Sequence, residues 1–332
     1  MKILFCGDKH LKITRFDLAK RCLSWINEVI EKEKPDMYVC LGDDMDSHAV
    51  LRSEIMCEYR RHIDFVMSKK IKMVYILGNH DFYNPKDSTY HAFQSLIGIN
   101  KNFKVVDKRF DLGNITFVPY LPDHTKFPLD TKEICVTHQT FIGADYGYMR
   151  PEVGVDAALV KANVIISGHV HLRQEFGKVV YPGTPYAQNA NDINQSKGVL
   201  LFDTETYDKK FISSTLPFWL GSRHEINSEY SIDMLHEELS KILTPNDHWI
   251  VEITGPRAEI MQYMNSKRFQ DIKKNIDIQI KTKFTDKNKR KIEIDALSME
   301  HIIKEYITKV YDGNLNKDDI IKKAIDIYKK VQ

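Results

Sequence analysis

Short apolar runs, each stopping at a turn, punctuate roughly the first half of this chain. Ile3-Leu4-Phe5-Cys6 runs into Gly7-Asp8-Lys9-His10, Met37 to Leu41 into Gly42-Asp43-Asp44, and Val74 to Leu77 into Gly78-Asn79-His80-Asp81. Ile134 to Thr137 ends at His138, and Val164 to Ser167 ends at Gly168-His169-Val170-His171. Such runs read as buried strands of a central sheet. Between the first of them the apolar spacing turns helical: Phe16, Leu18, Ala19, Leu23, Ile26, Val29 and Ile30 share one stretch, and residues 50–67 another. Strand, turn, helix, strand is a doubly wound α/β pattern. In such sheets ligands gather beyond the carboxyl ends of the strands, so one rim should collect carboxylates, an amide and several imidazoles.

Further along, the pattern becomes richer in strands, with Ile115 to Tyr120, Lys178 to Tyr181, Val199 to Phe202 and Phe211 to Ser214. Leu216-Pro217 marks an exit from this first unit. His248 to Ile253 alternates as a strand, Pro256 suits the first turn of a helix, and Ile276 to Phe284 alternates again. Met299 to Tyr311 is amphipathic and Gly313-Asn314 breaks it. Asn316-Lys317-Asp318-Asp319 then caps a last helix with Ile320, Ile321, Ala324, Ile325 and Tyr328 on one stripe.

With 332 residues, 42% hydrophobic and 28% charged, the chain has material for roughly two globular domains. The net charge of +2 decides little, since a nucleic-acid enzyme can confine its basic surface to one face. A run long enough to span a membrane is missing, and Asp8 comes too early for a signal peptide, so a cytoplasmic protein is expected, in the host cytoplasm if phage-encoded. The five cysteines form no Cys-x-x-Cys pair and read as small buried hydrophobes in a reducing compartment.

The rim residues carry the chemistry. Carboxylates alone would suit magnesium or calcium, whereas a mixed Asp, Asn and His set points to manganese, iron or zinc. Seven protein groups exceed what one ion needs; two ions sharing a carboxylate, about 3.5–4 Å apart, would use them all. The glycines before Asp8, Asp43, Asn79 and His169 are read as turn-makers, tolerant of unusual backbone angles. One Gly-Asp or Gly-Asn alone is an ordinary turn; a whole series of them, each at a strand end, is not.

Gly-Asp-x-His, Gly-Asp-x-x-Asp, Gly-Asn-His-Asp, a lone His and Gly-His-x-His, in that order, resemble the calcineurin-like metallophosphoesterases. Leu11, Thr137-His138-Gln139 and Tyr181-Pro182-Gly183-Thr184-Pro185-Tyr186 narrow the likeness to SbcD-type nucleases of double-strand-break repair, bacterial or phage. The likeness is close over about residues 1–215. It implies an α/β fold: a two-sheet sandwich with helices on the outer faces (1–215), a smaller α/β capping and DNA-binding domain (216–295) and C-terminal helices (296–332).

The resemblance also implies the site. Its first metal position would take Asp8, His10, Asp43 and His171, its second Asp43, Asn79, His138 and His169, with Asp43 as the bridge and two manganese ions as cofactors. His80 matches the catalytic histidine that is not a ligand, and Asp81 is placed to orient its ring. Some relatives carry a second catalytic His three residues after the bridging Asp, where this chain has Asp46; His48 lies two further on. The implied reaction is hydrolysis of DNA at duplex ends, 3′ to 5′ with endonuclease activity, leaving 5′-phosphates, with His80 supplying a proton to the leaving oxygen.

Partners follow from the same likeness: double-stranded DNA ends, an SbcC-type coiled-coil ATPase docked by the C-terminal helices, and a second copy of the chain. Residues 267–291 hold ten Lys or Arg against three Asp, readable as a solvated strand face and turn or as a phosphate contact. Two other readings stay open. A phosphatase or small-substrate phosphodiesterase of the same superfamily is one, although Ser47-His48 replaces the Arg-Gly of protein phosphatases; a non-enzymatic DNA-end scaffold is the other.

Overall fold

The computed structural model describes residues 1–46, 48, 51–84, 87–147, 149–285, 303–304, 306–308 and 316–331. In chain order it opens with β1 (Lys2–Cys6), α1 (Phe16–Glu33), β2 (Met37–Cys40), α2 (Ser53–Ser68) and β3 (Lys72–Ile76). A hairpin of β4 (Phe82–Asn84) and β5 (Asp87–His91) follows, then β6 (Phe103–Val106), β7 (Phe110–Leu112), β8 (Ile115–Val118), β9 (Ile134–His138) and β10 (Val164–Gly168). β11 (Gln174–Phe176), β12 (Val179–Tyr181), β13 (Gly198–Asp203) and β14 (Lys209–Ser213) complete the unit.

These strands build two six-stranded sheets, ordered β14-β13-β1-β2-β3-β6 and β11-β12-β10-β9-β8-β7. Side chains alternate across a strand, and here both faces are apolar. Ile3, Phe5, Val39, Leu41, Val74 and Ile76 meet Phe117, Val136, Ile166 and Val180 between the sheets. The alternate residues, Leu4, Cys6, Tyr38, Cys40, Met73 and Tyr75, pack under α1 and α2 through Leu23, Ile26, Ile30, Tyr59 and Ile63. The outer face of the second sheet is covered by chain from Phe127 to Ala162. Four of the five cysteines are buried, as expected; Cys57 is exposed, because it lies on the solvent side of α2.

The parallel pairings β1·β2, β2·β3 and β9·β10 aim the carboxyl ends of five strands at one rim. This is the property that positions the site.

Beyond residue 218 a three-stranded parallel sheet, β15 (Trp219–Glu225), β16 (His248–Gly255) and β17 (Asp277–Phe284), packs on α3 (Ile232–Ile242), α4 (Arg257–Asn265) and α5 (Lys267–Asn275). Leu235, Leu239, Trp249, Val251, Ile253, Ile260, Tyr263 and Phe269 form its own core. Pro256 stands one residue before α4, as the cap. The Lys-rich stretch opens as helix α5 before entering β17, and residues 286–291 lie outside the described part. Most of the amphipathic segment 299–311, with Gly313-Asn314, also lies outside it; residues 303–304 and 306–308 are helical. The last helix runs Lys317–Val331, with the Asn316 side chain accepting from the Asp318 N–H at 2.9 Å. Ile321 is buried and Ile320, Ala324, Ile325 and Tyr328 half-buried, so the stripe is partly covered within the chain. Among the described residues no helix is long and apolar enough to cross a membrane.

Candidate metal centre

The first two rim loops run side by side past the ends of β1 and β2. The Asp8 N–H donates to the Gly42 carbonyl at 2.9 Å, that of His10 to Asp43 at 3.0 Å, and that of Leu11 to Asp44 at 2.8 Å. The backbone angles are unusual at the donor residues themselves: φ is +53° at Asp8, +42° at His10, +54° at Asp43 and +82° at His169. Left-handed conformations of this kind in non-glycine residues cluster at functional sites. Of the four glycines read as turn-makers only Gly42, at +100°, has such an angle. Gly78 is glycine for lack of space, since a Cβ there would sit 2.2 Å from Asp43 Oδ1 and 2.7 Å from the His138 ring.

Two clusters form. Ligand-grade atoms of Asp8, His10 and His171 lie within 4.8 Å of one another, and so do those of Asp43, His138 and His169. In the first, the Nε2 atoms of His10 and His171 are 3.1 Å apart. In the second, Asn79 Oδ1 stands 3.1 Å from His138 Nε2 and 2.7 Å from His169 Nδ1. All seven residues read from the sequence thus arrive at one rim.

The donor set fits a cation. His138 Nδ1 faces the Leu41 carbonyl at 2.7 Å, which places its proton there and turns the Nε2 lone pair toward Asp43 Oδ2, at 3.3 Å, and toward Asn79 Oδ1. Acceptors converging on acceptors call for a positive charge between them.

The electrostatics agree. Burial works against charge on His138, yet the Asp43 carboxylate outweighs it and raises the imidazole to about 9. Burial likewise pushes Asp43 up, but the His138 charge and hydrogen bond, with His10 and His80 behind them, bring its carboxyl below the ordinary value. Asp8 is raised to about 7, first by burial, with His138 opposing and Asp43 adding. Burial lowers His171 to about 4, and burial with the His138 charge lowers His169 to about 3; His10 is also held well below its ordinary value, first by burial. His10, His169 and His171 are thus held neutral, the form that ligates metal. His138, without an ion, itself carries the positive charge that Asp43 calls for and must release its Nε2 proton when a cation binds.

His80 stands beside both clusters and belongs to neither. Its N–H donates to Asp43 Oδ1 at 2.7 Å, its Nδ1 faces the Asp46 carbonyl at 3.3 Å, and its ring meets that of His10 edge-on at 4.8 Å. His48 stacks on it, with its own Nδ1 3.2 Å from the Phe82 carbonyl. Asp46 is paired with Lys12 at 3.0 Å. Asp81 does other work than orienting His80: its buried Oδ2 accepts from the N–H groups of Asp43 and Gly78 at 3.0 and 2.8 Å and from the Tyr75 hydroxyl at 2.8 Å. The imidazole orientation expected from Asp81 falls to a main-chain carbonyl, because the Asp81 carboxylate turns back to the two ligand loops, its Oδ2 taking all three hydrogen bonds and its buried Oδ1 none.

The segments that narrowed the family resemblance support this rim from behind. Tyr186 donates to the Lys9 carbonyl at 2.6 Å, Tyr181 to that of Gln139 at 2.9 Å, and the Gln139 side chain clips the main chain of Leu121. Tyr120 went unread in the sequence because it closes an ordinary strand run. Its ring lies 5.8 Å from His169 and 6.2 Å from His138, forming a wall of the second cluster.

The chain is similar to known proteins. The chain is 24% identical to a phage T4 protein named Exonuclease subunit 1, over 99% of this chain and 98% of that one. It is also 24% identical to a Nanoarchaeum equitans protein named DNA double-strand break repair protein Mre11, over 60% of this chain and 66% of that one. A solved Escherichia coli phosphoesterase, Yfce, superposes with a TM-score of 0.34 at 16% identity over 63% of this chain and 96% of its own. The calcineurin-like phosphoesterase family model matches residues 1–173, the stretch that carries every one of these rim residues, and the chain belongs to that family.

Proposed function

We propose that this phosphoesterase is a metal-dependent DNA nuclease that acts at duplex ends. One observation carries the reading: His80, whose ring belongs to neither donor cluster, is tied through its main-chain N–H to Asp43 and stands against His10, with His48 stacked on it. A relative named as an exonuclease subunit, matched along nearly its whole length, supports the choice of DNA over a small ester.

Asp8, His10, Asp43 and His171 would hold one divalent ion and Asp43, Asn79, His138 and His169 the other, manganese suiting the mixed donors. When bound, two such ions supply an activated water and neutralise the phosphoryl oxygens. With Nδ1 kept at the Asp46 carbonyl, Nε2 of His80 is the atom left to hand a proton to the departing 3′ oxygen. His48 limits the tilt of that ring and offers a second imidazole at the phosphate. Tyr120 shields the second cluster from one side.

Asp81 is a positioning residue in this scheme. The unit built on β15–β17 would grip the DNA backbone, and the last helix, with exposed Ile327, would dock on a coiled-coil ATPase of the SbcC type. The phage relative is named as a subunit, which favours such an assembly; a dimer of this chain is the arrangement the SbcD likeness implies.

Incubating the purified chain and manganese with linear duplex, and separately with a bis-nitrophenyl phosphodiester, tests the reading. Nucleotides released from the duplex support it. Hydrolysis of the small ester with intact duplex would contradict it.

A further inference from the structure

Lys9 and Asp44 fill the positions beside the donor residues in the first two motifs, Asp8-Lys9-His10 and Asp43-Asp44. Where Asp8, His10 and Asp43 serve the rim, these two residues descend into the core beneath it. Both are fully buried, and Lys9 Nζ donates to Asp44 Oδ1 at 2.7 Å and Oδ2 at 2.8 Å. The Tyr59 hydroxyl donates to Asp44 Oδ2 at 2.6 Å. Cys40 Sγ lies 3.6 Å from Lys9 Nζ and the Tyr38 ring 5.8 Å from it, both within the layer packed under α1 and α2.

The pair continues into the third loop. The Tyr75 hydroxyl accepts the Asp44 N–H at 3.2 Å and donates to Asp81 Oδ2 at 2.8 Å, the same oxygen that takes the N–H groups of Asp43 and Gly78. A continuous buried chain of hydrogen bonds thus joins the loops after β1, β2 and β3, which carry Asp8 and His10, Asp43, and Asn79. From the other side the Lys9 carbonyl is held by Tyr186 at 2.6 Å and Gln188 at 3.1 Å.

A buried ion pair is a poor way to gain stability, because desolvation offsets most of the attraction, and apolar pairs of similar size often do as well or better. Its distinctive property is directional. A bidentate ammonium–carboxylate contact fixes the offset between two backbones, which apolar packing leaves free to slide.

We propose that Lys9 and Asp44, with Tyr75 as their link to the third loop, are positioning residues that fix the spacing between the two donor clusters and hence between the two ions. This rests on the metal-binding part of the function proposed above and not on the identity of the substrate.

The test uses the full chain, manganese alone and no DNA. Removing one member would strand a buried charge and unfold the protein, so the informative variant replaces both: Lys9→Met with Asp44→Leu. The metal-free variant should still fold cooperatively, its melting temperature lowered at most by the stranded Tyr59 hydroxyl. Affinity for the second manganese ion should fall about 10- to 100-fold, the usual effect of removing groups that support ligands. The exchange-coupled two-manganese signal in electron paramagnetic resonance should give way to that of isolated ions.

A paired variant that binds both ions as tightly as the parent, with the same coupled spectrum, would overturn the proposal. Should that variant fail to fold, Tyr75→Phe decides by the same two readouts, a weakened second ion supporting the proposal and an unchanged one overturning it. A parent that binds two coupled ions yet leaves DNA intact would remove the nuclease reading and leave this inference standing; a parent that binds no ion pair would remove both.

Discussion

The imidazole of His48 lies flat against that of His80, with ring centroids 4.3 Å apart and planes 18° from parallel. The contact gives the two histidines unequal roles. Replacing His80 by Ala should leave two bound ions and reduce DNA cleavage about 10²- to 10⁴-fold, the usual worth of a positioned proton donor. Replacing His48 by Ala removes a stacking partner worth about 0.5–1.5 kcal/mol, so cleavage should fall only about two- to twelvefold. Steady-state rates at saturating manganese, with ions counted by calorimetry, separate the two. A His80→Ala protein cutting at the parental rate would refute the proton-donor role.

Gly78→Ala touches no donor atom yet should damage the site. The added Cβ would lie 2.2 Å from Asp43 Oδ1, so Asp43 or the loop must shift. Overpacking of this kind costs about 1–3 kcal/mol. A lowered melting temperature together with weaker manganese binding is expected; parental binding would show that the loop yields without moving Asp43.

Away from the metal centre, His62 makes stability depend on pH. Burial first, with the Lys9 charge adding, lowers it to about 3, and its Nδ1 lies 2.6 Å from Asn27 Oδ1. Between about pH 3 and its ordinary value near 6.5 the unfolded chain binds this proton and the folded chain does not, so stability rises with pH across that window. The contribution is complete above about 6.5 and is lost as pH falls toward 3. Urea unfolding of metal-free protein at pH 7 and pH 4.5 should show a smaller loss for His62→Gln than for the parent. Equal losses would exclude His62 as a contributor.

Truncation after Ala296 removes the last helix and leaves every rim residue in place. Manganese binding should persist, while co-purification with a coiled-coil ATPase partner should be lost. Retained co-purification would place the docking surface elsewhere.

The rim was legible in the sequence because each donor follows an apolar strand run, and parallel strands must deliver those ends to one place. What escaped is what depends on which loops lie over which. Lys9 and Asp44 read as variable positions in two motifs, and only folding brings them together. Tyr75 reads as one more apolar residue of β3, although its hydroxyl joins two loops. Asp81 was placed beside His80 by sequence adjacency, whereas the tight turn at Asn79 sends its carboxylate back to Gly78 and Asp43. Helix α3 was legible and overlooked: Ile232, Leu235, Leu239 and Ile242 stand at helical spacing and pack on the core of the small unit.

The central claim is that two neighbouring cations are held at this rim, and anomalous scattering from a manganese-soaked crystal tests it most directly. Two peaks about 3.5–4 Å apart, one beside Asp8, His10 and His171 and the other beside Asn79, His138 and His169, with Asp43 between them, are the expected result. A single peak, or none, with these side chains arranged as they are here, would contradict it.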